Sequence, residues 1–268
     1  MRKKIIILYV LILIAILSSI IFLIIKSKDE RNHNNEIRSE VITEIEMTEE
    51  STEETTVQST EETTTDESEE TIAETESSYI PEFTKNNQQI DHSALLAMNS
   101  DYKCWLNIPG TTISYPVVMT NSNDYYLHRT FDTQEYAYAG TLFIDAYSKY
   151  ILNQDNLIIY GHNMKDGSMF GTIKNFKDAS YFNQHPYIEI YTEDEIRVYE
   201  IFSIRQASSD IDTLNFALDG FTAKEYINSA KNESIQFRET KTDGQIITLS
   251  TCVGDYDYRL LLSGIRIQ

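Results

Sequence analysis

The chain has 268 residues, with 42 Asp or Glu against 22 Lys or Arg, and a formal net charge of −20. That balance excludes a nucleic-acid surface, which needs clustered Lys and Arg to meet phosphates. The two cysteines, Cys104 and Cys252, exclude a disulfide-dense scaffold, and they lack the close-spaced ligand pairs of a structural metal site.

In chain order, residues 1–4 carry Arg2, Lys3 and Lys4, and residues 5–25 carry no charge. As a helix the second stretch rises about 30 Å, enough to cross a bilayer's hydrocarbon core. Branched residues continue to Lys26 with no small-residue cleavage site, so the stretch is expected to be an uncleaved signal anchor, with residues 1–4 cytoplasmic. Residues 26–79 are expected to form a disordered stalk. Between residues 39 and 78 there are fifteen acidic residues and no Lys or Arg, so this part cannot bury enough apolar surface to offset chain entropy. Residues 80–268 suffice for one compact domain on the extracellular face.

Within that domain, Asp91 is a candidate N-cap for a short helix over 91–99, with Leu95 and Met98 at helical spacing. Strands are expected at 104–108, 113–119, 140–145 and 156–160, punctuated by turn residues such as Pro109-Gly110. A short helix is expected over 167–176, and strands at 187–191 and 196–206. Thr222 and Glu225 form a capping box that opens a helix through Ala230. Strands over 245–251 and 259–267 complete a mainly β pattern. Many short strands with few helices favour a small closed β-barrel, because closure removes exposed edges.

Two chemically able side chains stand at strand ends: Cys252 after Thr248-Leu249-Ser250-Thr251, and His162 after Tyr160-Gly161. A thiol is a weak nucleophile until it loses its proton, and an imidazole can hold that proton and return it to a leaving amine. Strand parity puts Thr248, Ser250 and Cys252 on one face, free to line a cleft, with Ile247 and Leu249 packed behind. The same parity places Ile158, Tyr160 and His162 together. Of two candidate guanidiniums, Arg259 lies across a hairpin from Cys252, while Arg266 is seven residues further on and on the opposite face. Taken singly, a lone cysteine is most often an inert buried thiol, and that is the reading for Cys104. A Cys104–Cys252 disulfide would block the nucleophile. His33, His128 and His185 read as solvated or locally bonded.

Together the motifs resemble the sortases: Thr-Leu-Ser-Thr-Cys252, Tyr160-Gly-His162 and downstream Arg259, in that order. Residues 105–118, 140–145 and 160–170 are most similar to class B members. The resemblance implies an eight-stranded sortase-type β-barrel and a cysteine transpeptidase. Cys252 would cleave the C-terminal sorting signal of secreted proteins after Thr, form a thioacyl enzyme, and pass the acyl group to an amine of the peptidoglycan precursor. His162 and Arg259 would complete the catalytic set. Ser250, Tyr160, Asn123 and Leu127 match substrate-binding positions. No cofactor and no metal is expected. Two segments depart from the pattern: the short stretch 253–258, with Asp255 and Asp257, and residues 208–216, which lack a match to the substrate-contacting loop. A non-catalytic, membrane-tethered binding module of the same fold is the competing reading, and thioacyl hydrolysis by water lies between the two.

Overall fold

A computed structural model describes residues 79–86, 88–208, 222–252 and 258–268, with scattered positions before residue 45. Most of the expected membrane span at 5–25 and most of the stalk lie outside the described residues, as do 209–221 and 253–257. Among the described residues no helix is long and apolar enough to cross a membrane.

Nine strands carry the domain: β1 (Tyr102–Asn107), β2 (Ser114–Val118), β3 (Leu142–Ile144), β4 (Asn156–Tyr160), β5 (Tyr187–Tyr191), β6 (Ile196–Ser208), β7 (Ser234–Phe237), β8 (Ile246–Cys252) and β9 (Tyr258–Arg266). Hydrogen-bonded neighbours run β9, β8, β4, β3, β2, β1, β5, β6, and β6 then pairs back to β9, which closes an eight-stranded barrel. The ninth strand, β7, lies on the free edge of β6. Two neighbour pairs are parallel, β2 with β3 and β4 with β8.

Period-two alternation decides what each face buries. Inside the barrel sit Cys104, Leu106, Leu157, Ile159, Ile188, Ile190, Ile247, Leu249, Leu260 and Leu262. The intervening residues Trp105, Phe143, Ile158, Tyr160 and Tyr191 point outward into a second apolar cluster with Phe83, Ile90 and Leu95. Those last three come from the segment before the barrel, which includes α1 (Glu82–Lys85) and α2 (His92–Met98). Both faces of these strands are therefore dry, which is why they read as continuous apolar runs. Each buried Leu or Ile contributes about 1.5–3 kcal/mol. Glu189 fastens the preceding segment to the barrel. Although fully buried, it accepts from Tyr79 Oη (2.8 Å), the Glu82 amide (2.9 Å), Asn107 Nδ2 (2.8 Å) and Tyr191 Oη (2.8 Å), so its carboxylate is desolvated but not orphaned.

Several boundaries differ from expectation. The helix expected over 167–176 is a turn followed by a 3-10 helix, Ile173–Lys177. It is followed by α3 (Ala179–Gln184), capped by Asp178. The capping box at Thr222 is present, and α4 (Ala223–Glu233) runs one turn past Ala230. Met98 is exposed, so the apolar anchor of α2 is Leu95 alone.

Candidate active site

The parallel β4–β8 pair is in register at Ser250 with Tyr160, and the Gly161 amide donates to the Ser250 carbonyl (3.2 Å), continuing the ladder past the strand. Cys252 and His162 each lie two residues beyond that registered pair, on neighbouring strands that point the same way. Adjacent strands are about 4.8 Å apart, and a two-residue step returns a side chain to its face. Asn163 clasps the two ends by donating Nδ2 to the Cys252 carbonyl (2.9 Å). Gly161 has no room for a side chain: a Cβ there would lie 2.4 Å from Leu142 Cδ2.

Arg259 faces Cys252 directly across the β8–β9 hairpin. Its Nη1 donates to Cys252 Sγ at 3.4 Å, and its guanidinium lies over the Tyr160 ring, 5.8 Å from the centroid. Arg266 is engaged elsewhere, with Glu195 (2.7 Å). Cys252 is half-buried and free, whereas Cys104 is fully buried in the barrel interior, where burial pushes its thiol up to about 12. The two cysteines are not bridged.

His162 Nε2 contacts the Leu127 carbonyl at 2.8 Å. A carbonyl only accepts, so Nε2 carries the hydrogen and Nδ1 is the nitrogen that gains and loses a proton. Burial pushes the imidazole below its ordinary value. The Leu127 carbonyl opposes that shift, while the charges of His128 and Arg259 reinforce it.

The expected substrate-binding residues fall into three situations. Tyr160 and Asn123 meet at the fully buried Asp145, with Tyr160 Oη on Oδ2 (3.1 Å) and Asn123 Nδ2 on Oδ1 (3.3 Å). Leu127 meets the site through its carbonyl. Ser250 is fully buried, and its hydroxyl has no hydrogen-bond partner among the described residues. Thr248 does not line a cleft: it is buried under α4, bonded to Asn156 Oδ1 and Tyr226 Oη (both 2.9 Å).

Three histidines depart from the solvated or locally bonded reading, and His185 does so by meeting the distant Pro109 carbonyl at 3.0 Å. His33 bonds Asp132 (2.9 Å). His128 stacks on His162, with centroids 5.0 Å apart and planes inclined by 22°. Tyr138 stacks on His162 as well, at 5.8 Å and 12°. The signal for His128 was its place beside Leu127; nothing local in the sequence announces Tyr138.

A half-buried thiol with a guanidinium on its sulfur and an imidazole on the adjoining strand end, all at the rim of a closed eight-stranded barrel, defines a cysteine-nucleophile acyl-transfer enzyme. The sortase domain family matches residues 106–266, and the chain belongs to the sortase family. It is 35% identical to sortase B of Listeria monocytogenes over 179 residues, covering 63% of this chain and 71% of that protein. It is 28% identical to sortase B of Staphylococcus aureus over 174 residues, covering 61% and 68%. The solved structure of Clostridium perfringens sortase B superposes with a TM-score of 0.60 at 30% identity, covering 66% of this chain and 99% of that one. The protein is thus a sortase B-like cysteine transpeptidase.

Proposed function

We propose that this enzyme is anchored in the cell membrane by residues 5–25, with its barrel on the extracellular face of a Gram-positive-type cell, and that it joins secreted proteins to peptidoglycan. The carrying observation is the Arg259 Nη1 contact with Cys252 Sγ at 3.4 Å, at a strand end shared with His162. Cys252 gives its proton to His162 Nδ1 and attacks the carbonyl carbon of Thr in the sorting signal. Arg259 holds the tetrahedral oxyanion. The C–N bond breaks, the departing amine takes the proton from His162, and a thioacyl enzyme remains. An amine of the cell-wall precursor then attacks, gives a proton to His162 and displaces the sulfur, which is reprotonated. Asn123, Leu127 and Tyr160 line the path of the sorting signal, with Asn123 and Tyr160 held by Asp145, while Ser250 lies buried behind them.

The test is mass spectrometry of the purified full chain in detergent, incubated with sorting-signal peptides and a small amine. An acyl adduct on Cys252 and an amine-transferred product are expected. Adduct formation with hydrolysis alone would make the protein a peptidase. No adduct across the library, with the barrel folded, would leave the binding-module reading.

A further inference from the structure

The loop before β3 delivers three groups to His162, and only one of them is a hydrogen bond. Leu127 presents its carbonyl to Nε2, the next residue lays an imidazole across the His162 ring at 5.0 Å and 22°, and Tyr138 stacks against both rings. The second imidazole is fixed in turn: its Nδ1 meets the Tyr138 carbonyl at 3.3 Å, and the Tyr136 ring lies 5.7 Å away. Gly140 sets the loop's path. With φ at +62°, it lies where a Cβ would sit 2.3 Å from the Leu127 carbonyl oxygen.

We propose that His128 is a positioning residue for His162: its ring fixes the plane of the His162 imidazole, and its protonation opposes protonation of His162. This rests on His162 being the proton carrier of the reaction proposed above. The groups around the stack sharpen the effect. Tyr138 and Tyr136 supply uncharged rings. Arg129 turns its guanidinium to the Gln134 carbonyl (3.0 Å) and over the Tyr125 ring. Lys26 lies over the Tyr136 ring at 5.4 Å, and Arg259 lies beyond His162 on the Cys252 side. Among the described residues no carboxylate is hydrogen-bonded to either imidazole. Charge on the facing His128 ring therefore opposes charge on His162, in the same direction as the burial that already lowers it. The coupling follows from the spacing: two unit charges 5.0 Å apart interact by about half a pH unit even at the dielectric of bulk water.

The test uses the full chain with labelled histidines, following the His162 ring by NMR as a function of pH in wild type, His128→Phe and His128→Ala. His128→Phe keeps a ring in the stack and removes its proton; the His162 midpoint is expected to rise by about half a unit, and the limb of the pH–rate profile that reports His162 should move the same way. His128→Ala removes the ring as well, and amine transfer is expected to fall about tenfold, with recovery in His128→Phe. The His185 resonance, from a ring held by the Pro109 carbonyl (3.0 Å), reports whether each variant is folded. An unmoved His162 midpoint in folded His128→Phe overturns the coupling, and wild-type turnover in His128→Ala overturns the positioning role. Because the titration needs no turnover, a shifted midpoint in a protein that transfers nothing would uphold the coupling while refuting the transpeptidase reading.

Discussion

Replacing Gly140 by Ala should disable the site from a distance, by displacing the carbonyl that holds His162. Two effects add. Holding a residue with a Cβ at φ +62° costs about 1 kcal/mol. The new methyl would also lie 2.3 Å from the Leu127 oxygen and 2.6 Å from the Tyr126 oxygen, both backbone atoms that no rotamer change can move. Overpacking of that kind adds about 1–3 kcal/mol, and the sum corresponds to a Tm lower by roughly 5–15 °C for a domain of this size. Gly167 is the control. Its φ is +84°, but the nearest atom to an added Cβ is Thr172 Cγ2 at 3.5 Å, an ordinary contact. Gly167→Ala should therefore show the strain alone, about 2–4 °C in Tm. Thermal unfolding followed by circular dichroism, paired with the rate of acyl transfer, reads both quantities. If Gly140→Ala unfolds within 2 °C of Gly167→Ala and transfers at the wild-type rate, the link from Gly140 through Leu127 to His162 is wrong (roughly the precision of such a comparison).

Three other outcomes are expected. Arg259→Lys keeps the charge but loses the planar fork, so kcat should fall roughly 10²-fold with Tm unchanged; full activity would remove Arg259 from the oxyanion step. Thr222→Ala breaks the capping box that opens α4 and should destabilise the domain by about 1 kcal/mol, with most of this recovered in Thr222→Ser. His162 is lowered chiefly by burial, so the unfolded chain binds more protons than the folded one between the two values. Its contribution to stability is therefore complete above its ordinary value of 6.5 and is lost as the pH falls below it. Denaturant unfolding of wild type against His162→Gln from pH 8 to 5 should show that extra acid sensitivity in the wild type only, and parallel curves would contradict it.

The barrel could be read in the chain because its walls obey parity. Parity pairs Leu157 with Ile159 and Ile158 with Tyr160, and the structure turns the first pair inward; both sets being apolar, the sequence groups them without orienting them. Cys252, His162 and Arg259 were found because each ends or begins a strand, where register alone brings residues 90 apart to neighbouring positions. Parity could not distinguish an open face from a covered one. Thr248 was expected in a cleft and lies beneath Tyr226, because α4 folds over that face through contacts with no local signature. The 3-10 helix Ile173–Lys177 was mistaken for the end of a longer helix, since its apolar residues Ile173 and Phe176 suit either spacing. His128 was missed for a related reason: a stack between loop residues 34 apart depends on the path of the loop, which Gly140 sets and hydrophobic periodicity does not record.

The order in which the ring closes gives this enzyme a clock. His162 follows β4, whereas its partner strand β8 comes some ninety residues later, and β9, which supplies Arg259 and seals the wall against β6, comes later still. A chain folded only through β6 has an unpaired edge on β4 and no reactive centre. Thiol, imidazole and guanidinium meet only when the last wall strand arrives. A partly folded molecule is therefore chemically silent, and no separate inhibitor is needed to keep it so until the wall is sealed.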